Sequence, residues 1–417
     1  MNRLLTCGCL AAVVYLSISD CRAEEWSRWR GPNQNGHSAA TNLPVEWSAS
    51  DVAWKTDLKG QGQSSPVVAG NRIFLTSALE NGRQRIVMCL DRDGGRELWS
   101  KVAWTGDPEP SHKMNGWASA TCVTDGERVY AFFGRGGGLF CYSVDGDLLW
   151  QKELGFFDCP WGTAACPVLV GNLVIQNCDA DSDAYIVAFD KVTGKQIWKT
   201  KRDDARGWST PILIQAAGRD ELVINGHHGV RAYNPRTGAE LWFCQGFAGR
   251  GTPTVTPDGD LLHAVCGLRG DTYAVKPGGN GDVTQTHMKW HSPRKSSRDL
   301  PSPIVIGNQS LVMDMRSAIL TSYDTKSGDE NWRKRVGDGA ALGQFCATPV
   351  SWNGIAFFVS ESGKTLAIRP GDDMEIVAVN EIGADDSEIF RASITPDKGQ
   401  LLIRSSRVLY CVGKRAM

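Results

Sequence analysis

The cysteine and histidine residues are the side chains in this sequence best suited to metal or nucleophilic chemistry. The chain of 417 residues contains 13 Cys and 7 His. None of the cysteines forms a Cys-x-x-Cys pair of the kind that binds zinc. His287 and His291 have the spacing of a helical metal pair, but the pattern around Trp290 predicts a strand, on which four residues span about 13 Å. We therefore expect no metal site.

Motifs of the common hydrolases and nucleotide-binding enzymes are also absent. The sequence contains no G-x-S-x-G elbow, no P-loop and no H-E-x-x-H. The 45 basic and 46 acidic residues nearly balance, whereas a nucleic-acid partner would require a basic face. We expect no catalytic residues of these classes and no nucleic-acid partner.

One tetrapeptide recurs eight times along the chain. Its third residue is always small, and successive third positions lie 42 to 52 residues apart. This period is that of one four-stranded propeller blade. The third positions are Cys89, Cys141, Ala188, Ala232, Ala274, Ser322, Ala367 and Cys411.

Each small residue opens a longer unit that usually ends on a tryptophan. In the copy Ala188–Trp198, an alternating strand is followed by a turn with Asp and Gly and by a second strand, which is the pattern of a β-hairpin. We predict that the small residue lies where sheets approach closely and that the tryptophan fills the space between them. The residues at the tryptophan position are Trp54, Trp99, Trp150, Trp198, Trp242, Trp290, Trp332 and, in the seventh copy, Val379.

The repeat predicts an all-β fold, a single eight-bladed β-propeller of four-stranded blades spanning residues 45–417. A second pair of strands, such as the one in Ser302–Met313, supplies the other half of each blade. The last blade is one strand short, because little sequence follows Leu409–Val412. Val52–Thr56 is expected to supply the missing strand and close the ring, since an open array would leave two exposed edges.

The residues before the propeller divide into two segments. Residues 1–23 combine Arg3, the apolar stretch Leu4–Ile18 and a terminal Cys21-Arg22-Ala23, a pattern typical of a cleaved signal peptide. An uncleaved membrane anchor is the alternative. Residues 24–44 form a leader of unknown role. We expect an exported protein, periplasmic or extracellular.

The unit A-x-D-x-x-T/S-G-x-x-x-W resembles the tryptophan repeat of the PQQ-like (quinoprotein alcohol dehydrogenase-like) β-propellers and, among them, the BamB-like group. The resemblance covers residues 45 to 413. It implies a propeller that is either a binding module without cofactor or an enzyme with PQQ and calcium. The enzymes carry adjacent cysteines over the quinone, and this sequence has no such pair. We therefore expect no cofactor, with PQQ and calcium as the alternative.

Ten cysteines follow the predicted signal peptide. Those at the small-residue position of the repeat are expected to be buried packing residues. Cys159 and Cys166 could pair with each other or with Cys122 or Cys178, in a compartment that permits disulfides. The sequence does not decide among these pairings.

The loops that lead into the inner strands are where the sequence stops repeating. Tryptophan and arginine recur there, and both are enriched where proteins bind partners. Around one rim they would form an aromatic and basic funnel suited to sugars, peptides or carboxylates. Alternatively, these tryptophans fill gaps between blades and these arginines tie loops to carboxylates. The candidate binding residues are Trp117, Trp161, Trp208, Arg250, Arg298, Gln344 and Arg391.

These observations favour an exported, monomeric, non-catalytic propeller that acts as a binding or scaffold module. Its partner would be a protein or a cell-envelope component, as the resemblance to the BamB-like group implies. The alternative is a PQQ-dependent oxidoreductase similar to the alcohol or sugar dehydrogenases. A structural surface protein without a defined ligand is a third possibility.

Overall fold

The computed structural model describes residues 25–156, 158–247, 249–268, 270–294, 300–337 and 342–414. The predicted signal peptide and the candidate residue Arg298 lie outside these ranges. Within them the fold is all-β, with eight sheets of four antiparallel strands each, arranged around a central channel. The predicted eight-bladed propeller is confirmed. No helix in the described ranges is long and apolar enough to cross a bilayer.

Each blade contains four strands, ordered from the innermost to the outermost. Blade 1 comprises Val67–Ala69, Arg72–Leu79, Gln84–Asp91 and Glu97–Thr105, and blade 2 comprises Val123–Thr124, Arg128–Phe132, Leu139–Ser143 and Leu148–Lys152. Blade 3 comprises Val168–Val170, Leu173–Cys178, Tyr185–Asp190 and Gln196–Lys201, and blade 4 comprises Ile212–Ala216, Arg219–Asn225, Gly229–Tyr233 and Glu240–Gln245. Blade 5 comprises Thr256–Asp258, Leu261–Val265, Thr272–Val275 and Met288–Ser292, and blade 6 comprises Ile304–Ile306, Gln309–Met313, Ile319–Asp324 and Glu330–Arg335. Blade 7 comprises Val350–Trp352, Ile355–Val359, Thr365–Pro370 and Met374–Asn380, and blade 8 comprises Thr395–Asp397, Gln400–Arg404, Val408–Val412 and Val52–Asp57. The remaining elements are an added parallel strand on blade 4, Gly281–Asp282, two short α-helices, Gly134–Gly137 and Thr284–His287, and two 3₁₀ turns, Ala49–Asp51 and Glu80–Gly82.

The N-terminal strand closes the ring as predicted. Val52–Asp57 pairs antiparallel with Val408–Val412 and becomes the outer strand of blade 8. The first and last parts of the propeller therefore share one sheet, and neither end of the array is left as an open edge.

The small residue and the tryptophan of each repeat are cross-strand partners. Ala188 pairs with Trp198, for example. Five of these rings, those of Trp54, Trp99, Trp150, Trp198 and Trp290, also lie against a glycine in the turn of the following blade. The Trp150 Nε1 atom donates to the Lys191 carbonyl at 3.1 Å, and a Cβ added to Gly194 would come within 2.8 Å of the Trp150 ring. The glycine and the tryptophan of the repeat therefore recur together because they form a contact between neighbouring blades. A side chain larger than hydrogen at the turn would collide with the ring.

Blade 7 departs from the sequence prediction. Ala367 pairs with Ala378, so Ala378 rather than Val379 holds the tryptophan position. Val379 is 53 % exposed. Turn length sets the register of a hairpin, and an error of one residue moves a side chain to the opposite face of the sheet. Trp47, from the segment before the first strand, packs in the same apolar cluster as Ala378.

A belt of hydrogen bonds joins the blades around the channel. One small residue just before each inner strand donates its backbone N–H to the side chain of the equivalent residue in the next blade. The Thr210 N–H donates to Thr254 Oγ1 at 3.0 Å, for example. Seven such bonds are present among the described residues, between 2.8 and 3.3 Å long. The belt residues are Ser65, Thr121, Cys166, Thr210, Thr254, Ser302, Thr348 and Ser393.

The cysteines serve packing and the belt. No disulfide joins any of the ten that the structure describes, so none of the pairings considered for Cys159 and Cys166 forms. The Cys166 Sγ atom instead accepts the Thr121 N–H at 3.3 Å as a member of the belt. Cys89 and Cys141 are fully buried at the small-residue position, as predicted.

The leader crosses one face of the propeller, and we call residues 25–47 the leader strap. It pairs with the inner strands of several blades. The Val68 N–H donates to the Trp26 carbonyl and the Thr124 N–H to the Ser27 carbonyl, both at 3.0 Å. Farther along, Ser351 of blade 7 exchanges two backbone hydrogen bonds of 2.8 Å with the strap. The strap therefore uses polar groups at the inner edge of the sheets that have no strand partner.

Arg30 anchors the middle of the strap in the channel. Its side chain is 1 % exposed. The guanidinium donates to the Val255 and Pro303 carbonyls and to Thr256 Oγ1, over 2.9 to 3.3 Å. Burial lowers the pKa of Arg30 to about 9, so the group is still charged at neutral pH. The leader is consequently an integral part of the propeller that links blades 5 and 6.

The strap should hold less firmly in acid because of His37. Burial and, secondarily, the charge of Arg30 lower the pKa of His37, while Val305 and Asp258 oppose this shift. Its ring also contacts the Ser351 hydroxyl. As the pH falls below about 6.5, the usual histidine value, the unfolded chain takes up the proton first. Stability is therefore lost from that pH down to the lower pKa of the folded state.

We predict that the free energy of unfolding, measured in urea at pH 7.5 and at pH 5.5, falls less in a His37→Gln variant than in the unchanged chain. Glutamine cannot take up a proton in this range. His228→Gln, which replaces an exposed histidine outside the strap, is the control and should leave the pH dependence as it is in the unchanged chain. An identical pH dependence in the His37→Gln variant would contradict the prediction.

Candidate functional site

One pocket opens on the face of the propeller opposite the leader strap. The inner strands run from the belt to hairpin turns at Gly70, Asn353 and Gly399, and the strap lies against those turns. The belt residues lie at the other end of the strands, and all of them except Thr254 line the pocket. Counted with its open mouth, the pocket holds about 1180 Å³ that protein atoms do not fill.

Four of the seven candidate binding residues converge on this pocket. Trp161, Trp208, Arg250 and Arg391 all line it, and they come from loops that enter four different blades. Their convergence follows from the belt, because the belt holds the starts of the inner strands side by side.

Two candidates lie elsewhere, and Arg298 is outside the described residues. Trp117 is not among the lining residues. Its indole donates to the Glu109 carbonyl at 2.8 Å and its ring lies against Gly82, so it packs two loops together. Gln344 does not line the pocket either, and its side-chain oxygen is buried without a partner among the described residues. The structure thus places these two candidates outside the lining of this pocket, because loop length and direction do not follow from the repeat.

Trp161 and Trp208 form one wall of the pocket and are held in place. The Trp161 ring lies between the His112 ring, at 4.7 Å, and the Arg250 guanidinium, at 5.1 Å. The Trp208 Nε1 atom donates to the Gly162 carbonyl at 2.7 Å. The wall is therefore a fixed aromatic surface, since both ring positions are set by contacts.

The two arginines of the lining differ in their partners. Arg391 donates to Glu361 at 2.6 Å and to backbone carbonyls of the next loop, so its charge is neutralised. The Arg250 guanidinium forms no hydrogen bond or ion pair with a described side chain; it rests on Trp161. The lining among the described residues contains no Asp or Glu. The pocket therefore carries an uncompensated positive charge at Arg250.

Trp29 of the leader strap also lines the pocket, and sequence reasoning did not find it. The strap crosses the channel at the far end of the inner strands, so Trp29 closes the pocket from below. Neither a repeat nor a loop position marks this residue. The sequence feature that could have indicated it is the cluster Trp29-Arg30-Gly31, which lies after the predicted signal peptide in a polar segment.

The thiols of the pocket are poor nucleophiles. Burial raises the pKa of Cys346 to about 12 and raises that of Cys166, and a thiol is reactive as the thiolate. No group of three or more His, Cys, Asp and Glu side chains in the described ranges is placed to hold a metal ion. The described lining offers the amide oxygens of Gln63 and Asn115 but no carboxylate, and without a negatively charged ligand for calcium it fits a quinone held with that ion poorly.

Comparisons with known proteins agree with this architecture. The family model described as "Outer membrane protein assembly factor BamB" matches residues 39–156, 83–275 and 182–409. The outer membrane protein assembly factor BamB of Burkholderia pseudomallei (strain K96243) is 25 % identical over 359 residues, which are 82 % of this chain and 84 % of the relative. Methanol dehydrogenase (cytochrome c) subunit 1 of Methylobacterium organophilum is 24 % identical over 217 residues, which are 43 % of this chain and 34 % of that protein.

Solved structures share the fold at low sequence identity. BamB from Moraxella catarrhalis has a TM-score of 0.63 and 15 % identity, and the match covers 88 % of this chain and 98 % of that one. A europium-containing methanol dehydrogenase has a TM-score of 0.66 and 11 % identity, with 94 % and 98 % covered. The family model spans nearly the whole propeller, and the chain therefore belongs to the PQQ-like β-propeller family of the outer membrane protein assembly factor BamB.

Proposed function

We propose that this protein is an exported, non-catalytic binding module whose protein or cell-envelope partner docks on the face that carries the pocket. The observation that carries the proposal is the convergence of Trp161, Trp208 and Arg250 on one pocket of that face. The BamB of Burkholderia pseudomallei, named for outer membrane protein assembly, matches over 84 % of its length and supports a role of this kind in the cell envelope.

The two faces of the propeller are not equally available to a partner. The leader strap covers the ends of the inner strands on one face through backbone hydrogen bonds. On the other face, loops with irregular sequences surround a rigid aromatic wall. Loops on a rigid scaffold are the usual place for binding residues, and tryptophan and arginine are over-represented among the residues that contribute most to binding. The pocket face is therefore the one that we assign to the partner.

We predict that Trp208→Ala and Arg250→Gln each reduce the amount of partner recovered after crosslinking in intact producing cells by roughly tenfold or more, as loss of a binding hot spot would. Leu148→Ala and Arg236→Gln are the matched controls, because both side chains are exposed and lie away from the pocket. Melting curves establish that each variant is folded. Full recovery of the partner by folded Trp208 and Arg250 variants would refute docking at this pocket.

The similarity to methanol dehydrogenase favours one other candidate, a PQQ-dependent oxidoreductase. This chain spans about a third of that relative's length. The described pocket lining lacks the carboxylates that would hold calcium. We therefore favour a protein without cofactor, and activity would have to come from residues outside the described ranges.

Incubation of the purified protein with PQQ and Ca²⁺ tests this choice. We predict no reduction of an electron-accepting dye when primary alcohols or aldose sugars are added, because the described lining supplies no carboxylate to bind calcium or to act as a base. Dye reduction that depends on both quinone and substrate would show instead that the protein is a quinoprotein dehydrogenase.

A further inference from the structure

We infer that the pocket recognises a carboxylate of the docking partner, with Arg250 as the residue that binds it. This inference rests on the proposed function, and it specifies the chemistry of the group that enters the pocket. It follows from three features of the described residues: the pairing of the charged groups, the composition of the lining and the closed lower end.

Arg250 differs from the other arginines near the mouth of the pocket. Arg391 is paired with Glu361, and Arg206 is paired with Asp181 through two hydrogen bonds. Arg250 is half-buried, stacks on Trp161 and forms no ion pair or side-chain hydrogen bond with a described residue. A guanidinium has five N–H donors arranged to bind a carboxylate through two parallel bonds. The guanidinium lies 5.1 Å from the centre of the Trp161 ring, and this cation–π contact holds the group at the pocket wall.

The pKa of His227 reflects burial and the positive charges around Arg250. His227 lies close enough for its pKa to be lowered, chiefly by burial and also by the charges of His228, Arg206 and Arg250, against the opposing effect of Asp181. The buried Nδ1 atom of His227 has no partner among the described residues. A charge buried without a partner is costly, so an anion that binds at Arg250 gains from a site already organised for it.

The remaining lining indicates which anion fits. Met114, Leu268, Leu300 and three tryptophans give the lining an apolar part, which lies beside the small polar residues of the belt. Among the described residues of the lining, Arg250 is the guanidinium without an ion pair, and the single charge of a carboxylate matches it, whereas a phosphate would bring more charge. Trp29 of the leader strap lies at the inner end of the pocket. A ligand group therefore enters through the mouth and terminates within the pocket. The carboxylate at a chain end and that of an acidic side chain both satisfy this requirement.

Isothermal titration calorimetry with three short peptides tests the inference on the purified chain without its signal peptide. N-acetyl-Gly-Gly-Leu with a free carboxyl end supplies a terminal carboxylate, and N-acetyl-Gly-Glu-Gly amide supplies a side-chain carboxylate. N-acetyl-Gly-Gly-Leu amide is the neutral control. We expect at least one carboxylate peptide to bind with a Kd of about 1 mM or below, at least tenfold more tightly than the amide, and the tighter of the two identifies the source.

Substitution at Arg250 completes the test. Arg250→Gln should weaken binding of the carboxylate peptide at least tenfold. Arg236→Gln, an exposed arginine of the same propeller on the opposite face, should leave binding unchanged. The inference is overturned if neither carboxylate peptide binds, if the amide binds equally well, or if Arg250→Gln retains full affinity.

The inference and the proposed function can fail separately. If the peptide results are as expected but Arg250→Gln still recovers the partner from cells, the pocket binds carboxylates and the partner docks elsewhere. If the partner is lost but the amide peptide binds as well as the acid, docking at this face stands and carboxylate recognition is wrong.

Discussion

The hydrogen-bonded belt around the channel is the interaction on which the rest of this propeller depends. Each bond joins a backbone N–H at the start of one inner strand to a side chain at the start of the next, as Ser393 does to Ser65 across the closure of the ring. All eight residues are small, and they occupy equivalent places in the eight blades. The belt therefore fixes the spacing and rotation of neighbouring blades at the end where the pocket opens, and it satisfies amides that a sheet would leave unpaired.

Two further sets of contacts join the blades, one at the outer strands and one at the end of the channel opposite the belt. In five blades the tryptophan of the outer strand lies on a glycine in the turn of the next blade, as Trp290 does on Gly328. At the opposite end of the channel, the leader strap spans inner strands from blade 1 to blade 7, with Arg30 bound to three backbone or hydroxyl oxygens of blades 5 and 6 and the loop between them. The belt, the tryptophans and the strap together make the loop face rigid, and rigid support is what lets side chains from four separate loops act as one site.

The fold was predictable from the sequence, and the site was predictable in part. A period near 45 residues with a small residue and a tryptophan at fixed places specifies blade count and strand order, so the closing strand followed from the missing one. In blade 7 the sequence pattern assigned the tryptophan position to Val379, whereas Ala378 occupies it, because the length of the turn changes the register of the hairpin. The sequence also predicted Trp117 at the rim of the pocket, but its ring lies against Gly82. The path of a loop depends on such contacts, which the repeat does not encode. Trp29 escaped because its place depends on a leader folded back across the channel.

The belt predicts a specific difference between two buried threonines, measured as free energies of unfolding in urea. Thr254→Val removes the oxygen that accepts the Thr210 N–H and leaves that amide buried and unpaired, at a cost of about 1–3 kcal/mol. Thr321 is equally buried, but its hydroxyl has no partner among the described residues, so Thr321→Val should change stability by no more than about 0.5 kcal/mol or increase it. Equal effects of the two substitutions would contradict the account, because the belt would then contribute nothing to holding the blades together.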